Sequence, residues 1–362
     1  MATLLITGGA GFIGANLVRH VLDTTPDDVV VVDKLTYATN PLVLDTVLEN
    51  PRVELIRADI ADRAAMSRVF LQHHPSAVLN LAAETHVDRS IDSSWPFVET
   101  NVCGTVVLLE TTRAFLKELQ PAEREGFRFL HVSTDEVYGT LGPTGSFTEA
   151  SAYSPNSPYA ASKAAADHMV RAFHSTYGLA TLITNCSNNY GPFQYPEKLI
   201  PLMILNALEA RQLPIYGDGR NVRDWLHVND HCAALLLVLR NGRSGESYNI
   251  GAENEQTNLE LVNQICDALE EVKPARSNPA MSAASVSSYR DLKQFVADRP
   301  GHDRRYAVDA SKLRFELGWK PQHTFAAGLR NTVQWYVDHC DSFSGARLGY
   351  DRERLGLGAV PA

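Results

Sequence analysis

Thr3-Leu-Leu-Ile-Thr7-Gly8-Gly-Ala-Gly11-Phe-Ile-Gly14 reads as a short apolar strand, a glycine turn and the start of a helix. Ile13, Leu17, Val18 and Val21 recur at helical spacing, which predicts a helix over 12–22. Strand, glycine turn and helix in this order are the setting that a dinucleotide fingerprint requires. Glycines allow a tight turn and close approach of the backbone to a pyrophosphate. The helix N-terminus adds N–H groups and partial positive charge for that anion. The spacing is Gly8-x-x-Gly11-x-x-Gly14 rather than G-x-G-x-x-G, so a second signal is needed. It comes from Val29-Val-Val-Val32, a buried strand that ends in Asp33, 19 residues past Gly14. An acid there suits a ribose 2′-hydroxyl and repels a 2′-phosphate, so NAD is expected rather than NADP. Lys34 beside it softens that preference.

Working outward, the same rhythm repeats. Strands are predicted at 53–59, 77–82, 127–132 and 179–184, with helices at 62–72, 96–119 and 159–177 between them. Alternation of this kind predicts an α/β fold, a Rossmann-type doubly wound parallel sheet. Candidate cofactor contacts follow the strand ends: Gly8, Gly11, Phe12, Ile13, Gly14, Asp33, Lys34, Leu35, Thr36, Asp59, Ile60, Leu81, Ala82, Ala83, Thr100, Ser133, Tyr159, Lys163 and Asn189. After Gly191 the rhythm is lost, with Pro192, Pro196, Pro201 and Pro214 punctuating short segments. The chain is therefore expected to divide into a cofactor domain over 1–190 and a smaller, mixed α/β substrate domain over 191–362. It returns to the first domain around 227–251. The stretch 273–288, rich in Ser, Pro and Ala, is expected to be a surface loop, and the tail from Ser342 is polar with many glycines.

The chemistry is expected at His131-Val-Ser133-Thr134-Asp135-Glu136-Val-Tyr138-Gly139, where a strand delivers a hydroxyl and two acids. Two carboxyl groups serve as acid and base when their environments push their pKa values apart. Consecutive side chains on a strand point to opposite faces, so both reach one site only if the strand has already ended. Tyr159 and Lys163, four apart on a helix, share a face. Taken alone, Asp135 and Glu136 read more readily as caps of the next helix than as catalytic acids.

Composition limits the alternatives. The 362 residues carry 33 Lys+Arg against 42 Asp+Glu, a formal net charge of −9. That argues against nucleic acid as a partner. Cys103, Cys186, Cys232, Cys266 and Cys340 are widely spaced, and no pair has metal-ligand spacing, so no metal is expected. A reduced, cytoplasmic protein is the expectation. No apolar run approaches the length of a membrane span, and the early first strand leaves no room for a signal peptide.

With these residues in view, the chain resembles the extended short-chain dehydrogenase/reductases, through its glycine turn and Tyr159-x-x-x-Lys163. Within their nucleotide-sugar branch, Thr134-Asp135-Glu136 and its flanks resemble the 4,6-dehydratases that act on dTDP-glucose. So do Asn185-Cys-Ser-Asn-Asn-Tyr-Gly-Pro192, Pro196-Glu-Lys-Leu-Ile-Pro201 and Arg299-Pro-Gly-His-Asp-Arg-Arg-Tyr306. The resemblance covers nearly the whole chain; the main departure is a longer segment at 274–288. It implies a tightly held NAD+ and a reaction with no net redox change. Tyr159, its pKa lowered by Lys163, would take the 4-hydroxyl proton as hydride leaves C4. Glu136 would remove the C5 proton while Asp135 protonates the departing 6-hydroxyl, and hydride would return to C6. Thr134 would hold the 4-hydroxyl. Thr85, Asn188, Lys198, Leu199, Pro214, Tyr216, Arg223, Asn258, Arg299 and His302 would contact the nucleotide sugar. The product would enter deoxysugar (such as rhamnose) synthesis. A homodimer is expected through the helices at 96–119 and 159–177. The competing readings are an epimerase or decarboxylase without need of the acid pair, a dehydratase of UDP-glucose, and a non-catalytic NAD-binding scaffold.

Overall fold

Strand β1 (Thr3–Thr7) lies inside a seven-stranded sheet of order β10-β6-β5-β4-β1-β2-β3, in a computed structural model that describes residues 2–343 apart from 38, 40, 41, 43–46 and 48. The other members are β2 (Asp28–Asp33), β3 (Val53–Arg57), β4 (Ala77–Asn80), β5 (Arg128–Thr134), β6 (Thr181–Cys186) and β10 (Ser247–Ile250). Every pairing in this sheet is parallel. Both faces are covered, which is why β2 reads as four consecutive valines rather than an alternating strand. Leu4, Ile6, Val29 and Val31 pack towards the helices Phe12–Thr24 and Val228–Asn241. Leu5, Val30, Val32 and Val78 pack towards Arg63–His73, Thr105–Glu118 and Pro158–Tyr177. Strand order reverses between β1 and β4, so their carboxyl ends diverge and open a crevice there.

The remaining strands form two small sheets. β7 (Asn188–Tyr190) runs parallel to β9 (Val222–His227), which pairs antiparallel with β11 (Glu255–Thr257). β8 (Leu213–Tyr216) pairs with β12 (Lys293–Val296). A second apolar core gathers helices Leu199–Leu208, Asn258–Val272 and Phe325–Asp338.

Several sequence expectations need correction. Strand β3 stops at Arg57, because Asp59 and Asp62 already belong to the turn and cap of the next helix. The expected helix 96–119 is broken by a π-helical turn, Val98–Gly104. The segment 273–288 is not a loose surface loop. It holds a 3₁₀ turn (Ala275–Ser277) and a short helix (Pro279–Ala283), with Ala275 and Met281 in the second core and Asn278 also buried. β9 and β12 have no alternating pattern to announce them. The polar tail beyond Phe343 lies outside the described residues.

Candidate active site

The glycine turn is shaped by contacts that leave no room for a side chain. Gly8 has φ +69°, and a Cβ there would lie 2.7 Å from the Ala82 backbone nitrogen. A Cβ on Gly14 would sit 2.2 Å from the Gly8 carbonyl oxygen. No side chain caps the helix that follows and no acid occupies its first turn, so its N-terminal N–H groups are left for an anion. Asp33, at the end of β2, accepts hydrogen bonds from Ala10 N–H (3.0 Å) and Leu35 N–H (2.8 Å). Burial raises its carboxyl pKa, and those two N–H groups oppose the rise. Lys34 Nζ donates to Thr100 Oγ1 (3.0 Å) and lies 3.4 Å from Glu84 and 3.8 Å from Asp59, and its charge also opposes the rise at Asp33. A cradle that a Cβ would fill, an uncapped helix N-terminus and a strand-end carboxylate fit NAD+.

One cavity runs from this turn to the end of β5. It is lined by Gly8, Gly11, Phe12, Ile13, Gly14, Asp33, Lys34, Thr36, Asp59, Ile60, Leu81, Ala82, Ala83, Thr85 and Thr100 on one side. Ser133, Thr134, Asp135, Glu136, Tyr159, Lys163, Asn188, Asn189 and Lys198 line the other. Leu35 is not among the lining residues; it takes up a left-handed backbone (φ 56°) and turns the chain beside Asp33.

β5 ends at Thr134, and Asp135–Tyr138 forms a 3₁₀ turn, which lets two consecutive acids face one cavity. Gly139, at φ +85°, lets the turn close tightly on Ser154. The Glu136 N–H donates to Thr134 Oγ1 (3.3 Å), and that hydroxyl donates to Asp135 Oδ1 (3.3 Å). Asp135 is 2% exposed, and its Oδ2 is buried without a protein hydrogen bond. Burial, then Glu136 and Asp224, push the Asp135 carboxyl well above the usual carboxylate range, against Arg223 and Thr134. Glu136 is also raised by burial, but Arg299, Arg223 and Lys198 pull it back. The two acids thus stand in different electrostatic surroundings, the rise at Glu136 being opposed by three cations and that at Asp135 by one.

Tyr159 departs from expectation. Burial pushes its phenol well above the usual tyrosine range, and Glu136, Cys186 and Asp135 add to this while Thr134 opposes it. Lys163 is not among the groups that move it. Its Nζ donates to the Val132 carbonyl (2.8 Å) and lies 3.3 Å from His131 Nε2.

Of the expected sugar contacts, Thr85, Thr134, Asn188 and Lys198 line the cavity, and the others do not. Arg299 donates to Asp88 Oδ1 (2.6 Å), and Tyr216 donates to Asp88 Oδ2 (3.4 Å). His302 packs edge-on against Tyr216 and bonds Asp298 (2.6 Å). Arg223 lies over the Tyr306 ring and donates to the Asp303 carbonyl (2.9 Å). Arg304 and Arg305 pair instead with Asp218 and Glu255. Tyr216, Arg223, Arg299 and His302 lie outside the lining of this cavity, as do Leu199, Pro214 and Asn258; Leu199 and Asn258 open helices, and Pro214 sits in β8. Sequence reasoning assigned no role to Asp88, Glu84 or Asn101. Asn101, in the π turn, donates to the Glu84 carbonyl (3.1 Å) and to Ser162 (2.8 Å), joining the end of β4 to the helix that carries Tyr159. Only three-dimensional contact reveals these links, since the partners lie 17 and 61 residues apart.

Comparison with known proteins adds the family. A family model described as GDP-mannose 4,6 dehydratase matches residues 5–332. The dTDP-glucose 4,6-dehydratase of Neisseria meningitidis serogroup B is 55% identical over 99% of this chain and 100% of its own length. The chain belongs to the dTDP-glucose 4,6-dehydratase family. In Escherichia coli K12, dTDP-glucose 4,6-dehydratase 1 is 53% identical, over 96% of each chain. A solved dTDP-glucose 4,6-dehydratase from Streptomyces venezuelae, with NAD and TYD bound, superposes with TM-score 0.83 at 45% identity, covering 94% of this chain and 98% of that one. A UDP-glucose 4-epimerase from Thermotoga maritima shares the fold (TM-score 0.79) at 27% identity over 93% and 99% of the two chains. For this family the fold class expected from sequence holds: a mostly parallel Rossmann-type sheet with flanking helices and a smaller mixed sheet. No helix among the described residues is long and apolar enough to cross a membrane, and no metal-ligand cluster occurs among them.

Proposed function

We propose that this chain dehydrates dTDP-glucose to dTDP-4-keto-6-deoxyglucose, as a hydro-lyase of deoxysugar synthesis. The observation that carries the reading is the acid pair on the 3₁₀ turn, with one cation, Arg223, acting on Asp135 and three acting on Glu136. An epimerase needs no such pair. NAD+ is the cofactor and supplies the hydride acceptor and donor when bound. Thr134 and Tyr159 grip the sugar 4-oxygen, and Tyr159 takes its proton. The resulting ketone acidifies C5–H, and Glu136 removes that proton. Asp135 gives its proton to the departing 6-hydroxyl, so water leaves with its charge neutralised. Glu136 then returns the proton to C5. Each transfer draws on general acid–base catalysis, worth ~10²–10⁴ in rate.

Arg299, Arg223 and Lys198 suit the negative diphosphate, and Tyr216, His302, Asn188 and Thr85 suit the sugar and base. Asp33 would hold the adenosine ribose. The chain would divide into a cofactor domain over 1–190, with the return at 227–251, and a substrate domain over the rest. A cytoplasmic homodimer is the expected form. Trp95, 67% exposed, and Val98, at the head of the 95–118 helical segment, give that face apolar surface to cover; sedimentation as a monomer at micromolar concentration would exclude it.

The test is product analysis by mass spectrometry on purified protein given dTDP-glucose or UDP-glucose. Loss of one water from dTDP-glucose, without net reduction of cofactor, is the expected result. No product even with added NAD+ refutes the assignment, and turnover of UDP-glucose alone moves it to the other base.

A further inference from the structure

The segment that leaves β4 and the one that precedes helix Leu199–Leu208 are tied together twice beside the cavity. Arg89 Nε donates to Glu197 Oε2 (3.0 Å), and Lys198 Nζ donates to the Thr85 carbonyl (2.9 Å). Thr85, Glu197 and Lys198 all line the cavity. The Glu197 side chain is 1% exposed. Arg89 is half-buried, and its guanidinium lies over the Tyr37 ring, 3.9 Å from the centroid. His86 Nε2 is 3.9 Å from the same Glu197 carboxylate, but burial, then Lys198 and Arg89, lowers that imidazole to about 2, so it brings no charge. The Arg89–Glu197 pair is therefore a partly buried ion pair at the edge of the site that the reaction above does not use. Among the described residues Lys198 makes no ion pair, although it follows Glu197 directly in the chain.

We infer that Arg89 is a positioning residue: it occupies Glu197 and so leaves the Lys198 ammonium for the diphosphate of the substrate. The inference rests on the reading of Lys198 as a diphosphate contact. Three carboxyl groups act on Lys198, namely Glu197, Glu136 and Asp88. Two of them are held by arginines, Glu197 by Arg89 (3.0 Å) and Asp88 by Arg299 (2.6 Å), and the third is the base of the proposed reaction. Lys198 and Arg89 both act on Glu197 in return. Removing one partner of a buried pair leaves an uncompensated charge, which must be neutralised or find another partner. Without Arg89 the cation at hand is Lys198, and an ammonium on a flexible four-carbon stem can turn from the Thr85 carbonyl to the Glu197 carboxylate. It would then meet the diphosphate with its charge already matched.

Rescue by a second substitution separates this role from a structural one. The measurement is binding of dTDP, and of thymidine, to the NAD-loaded protein by isothermal titration calorimetry. Arg89→Met should weaken dTDP about tenfold, the loss of one charge-assisted contact. Thymidine has no diphosphate, so its affinity should not change. Adding Glu197→Gln to Arg89→Met removes the competing carboxylate and should restore dTDP to within about threefold of the unaltered protein. A double variant that binds dTDP no more tightly than Arg89→Met overturns the inference. So does an equal loss for thymidine, because a tie that merely holds the two segments together would loosen both ligands. Glu197→Gln alone should leave dTDP unchanged or bound more tightly. Weaker dTDP binding by that variant would make Glu197 a support of the site rather than a competitor for Lys198, and it overturns the inference even if Arg89→Met does not fold. Lys198→Met binding dTDP as tightly as the unaltered protein would instead overturn the reading of Lys198 beneath it.

Discussion

Replacing Gly8 with alanine tests how closely β1 and β4 are held where the sheet order reverses. The new Cβ would meet Ala82 N at 2.7 Å, and Ala82 Cα and Leu81 C at 2.8 Å. These are backbone atoms of the segment leaving β4, so no side-chain rotation relieves the clash. The left-handed backbone, at φ +69°, adds its own cost for any residue with a Cβ. That cost is ~1–2 kcal/mol, and overpacking adds ~1–3 kcal/mol, for a total of about 2–5 kcal/mol. Gly178→Ala supplies the control. Gly178 caps the helix Pro158–Tyr177 at φ +68°, with no atom within 4 Å of its would-be Cβ, so only the conformational cost applies. At roughly 2 °C per kcal/mol for a chain of this size, Gly8→Ala should lower Tm by ~4–10 °C and Gly178→Ala by ~2–4 °C. Circular dichroism melts of the cofactor-stripped proteins measure both. Gly8→Ala should also lose NAD on gel filtration, because the loop must move away from β4, whereas Gly178→Ala keeps it. Equal Tm losses, with NAD content unchanged in both, would refute the steric argument.

Three further outcomes are expected. Asp33→Ala removes a charge-assisted hydrogen bond to the ribose, worth ~1.5–3 kcal/mol. NAD should then bind ~10–150-fold more weakly in a fluorescence titration, and a change under twofold would remove Asp33 from the cofactor site. Met281→Ala, at a side chain 0% exposed in the second core, should cost ~2–5 kcal/mol, whereas Ser287→Ala on the same segment should leave Tm unchanged. Equal melts would restore the surface-loop reading. His227 provides a pH test: burial, then neighbouring His323, lowers its pKa from 6.5 to about 4. Since the folded value is depressed, its stabilising contribution is present above pH 6.5 and lost as pH falls towards 4. Between pH 7.5 and 5 that loss is about 2 kcal/mol, so unaltered protein should lose more Tm over this range than His227→Gln; equal losses would rule the group out.

The sequence alone determined the elements whose cause is local. The β1 strand, the glycine turn and the following helix are written in adjacent residues. Four valines in β2 require cover on both faces, and the strand–helix rhythm then leaves one sheet type. The candidate cavity was legible for the same reason, because parallel strands deliver their carboxyl ends to one edge, and Asp33 and Thr134 close such strands. What tertiary structure decided depends on groups brought from far along the chain. Lys34 is brought to Asp59 and Glu84, Arg299 to Asp88, Arg304 and Arg305 to Asp218 and Glu255, and Met281 is drawn into the core. The two acids gain different surroundings only when Arg223, Arg299 and Lys198 converge on Glu136 and not equally on Asp135. Tyr159 and Lys163 share a helix face, but burial with Glu136 and Cys186 shifts the phenol, and burial opposed by Asp167 shifts the lysine. Periodicity is a property of neighbours in sequence, whereas desolvation and Coulomb interaction are properties of neighbours in space.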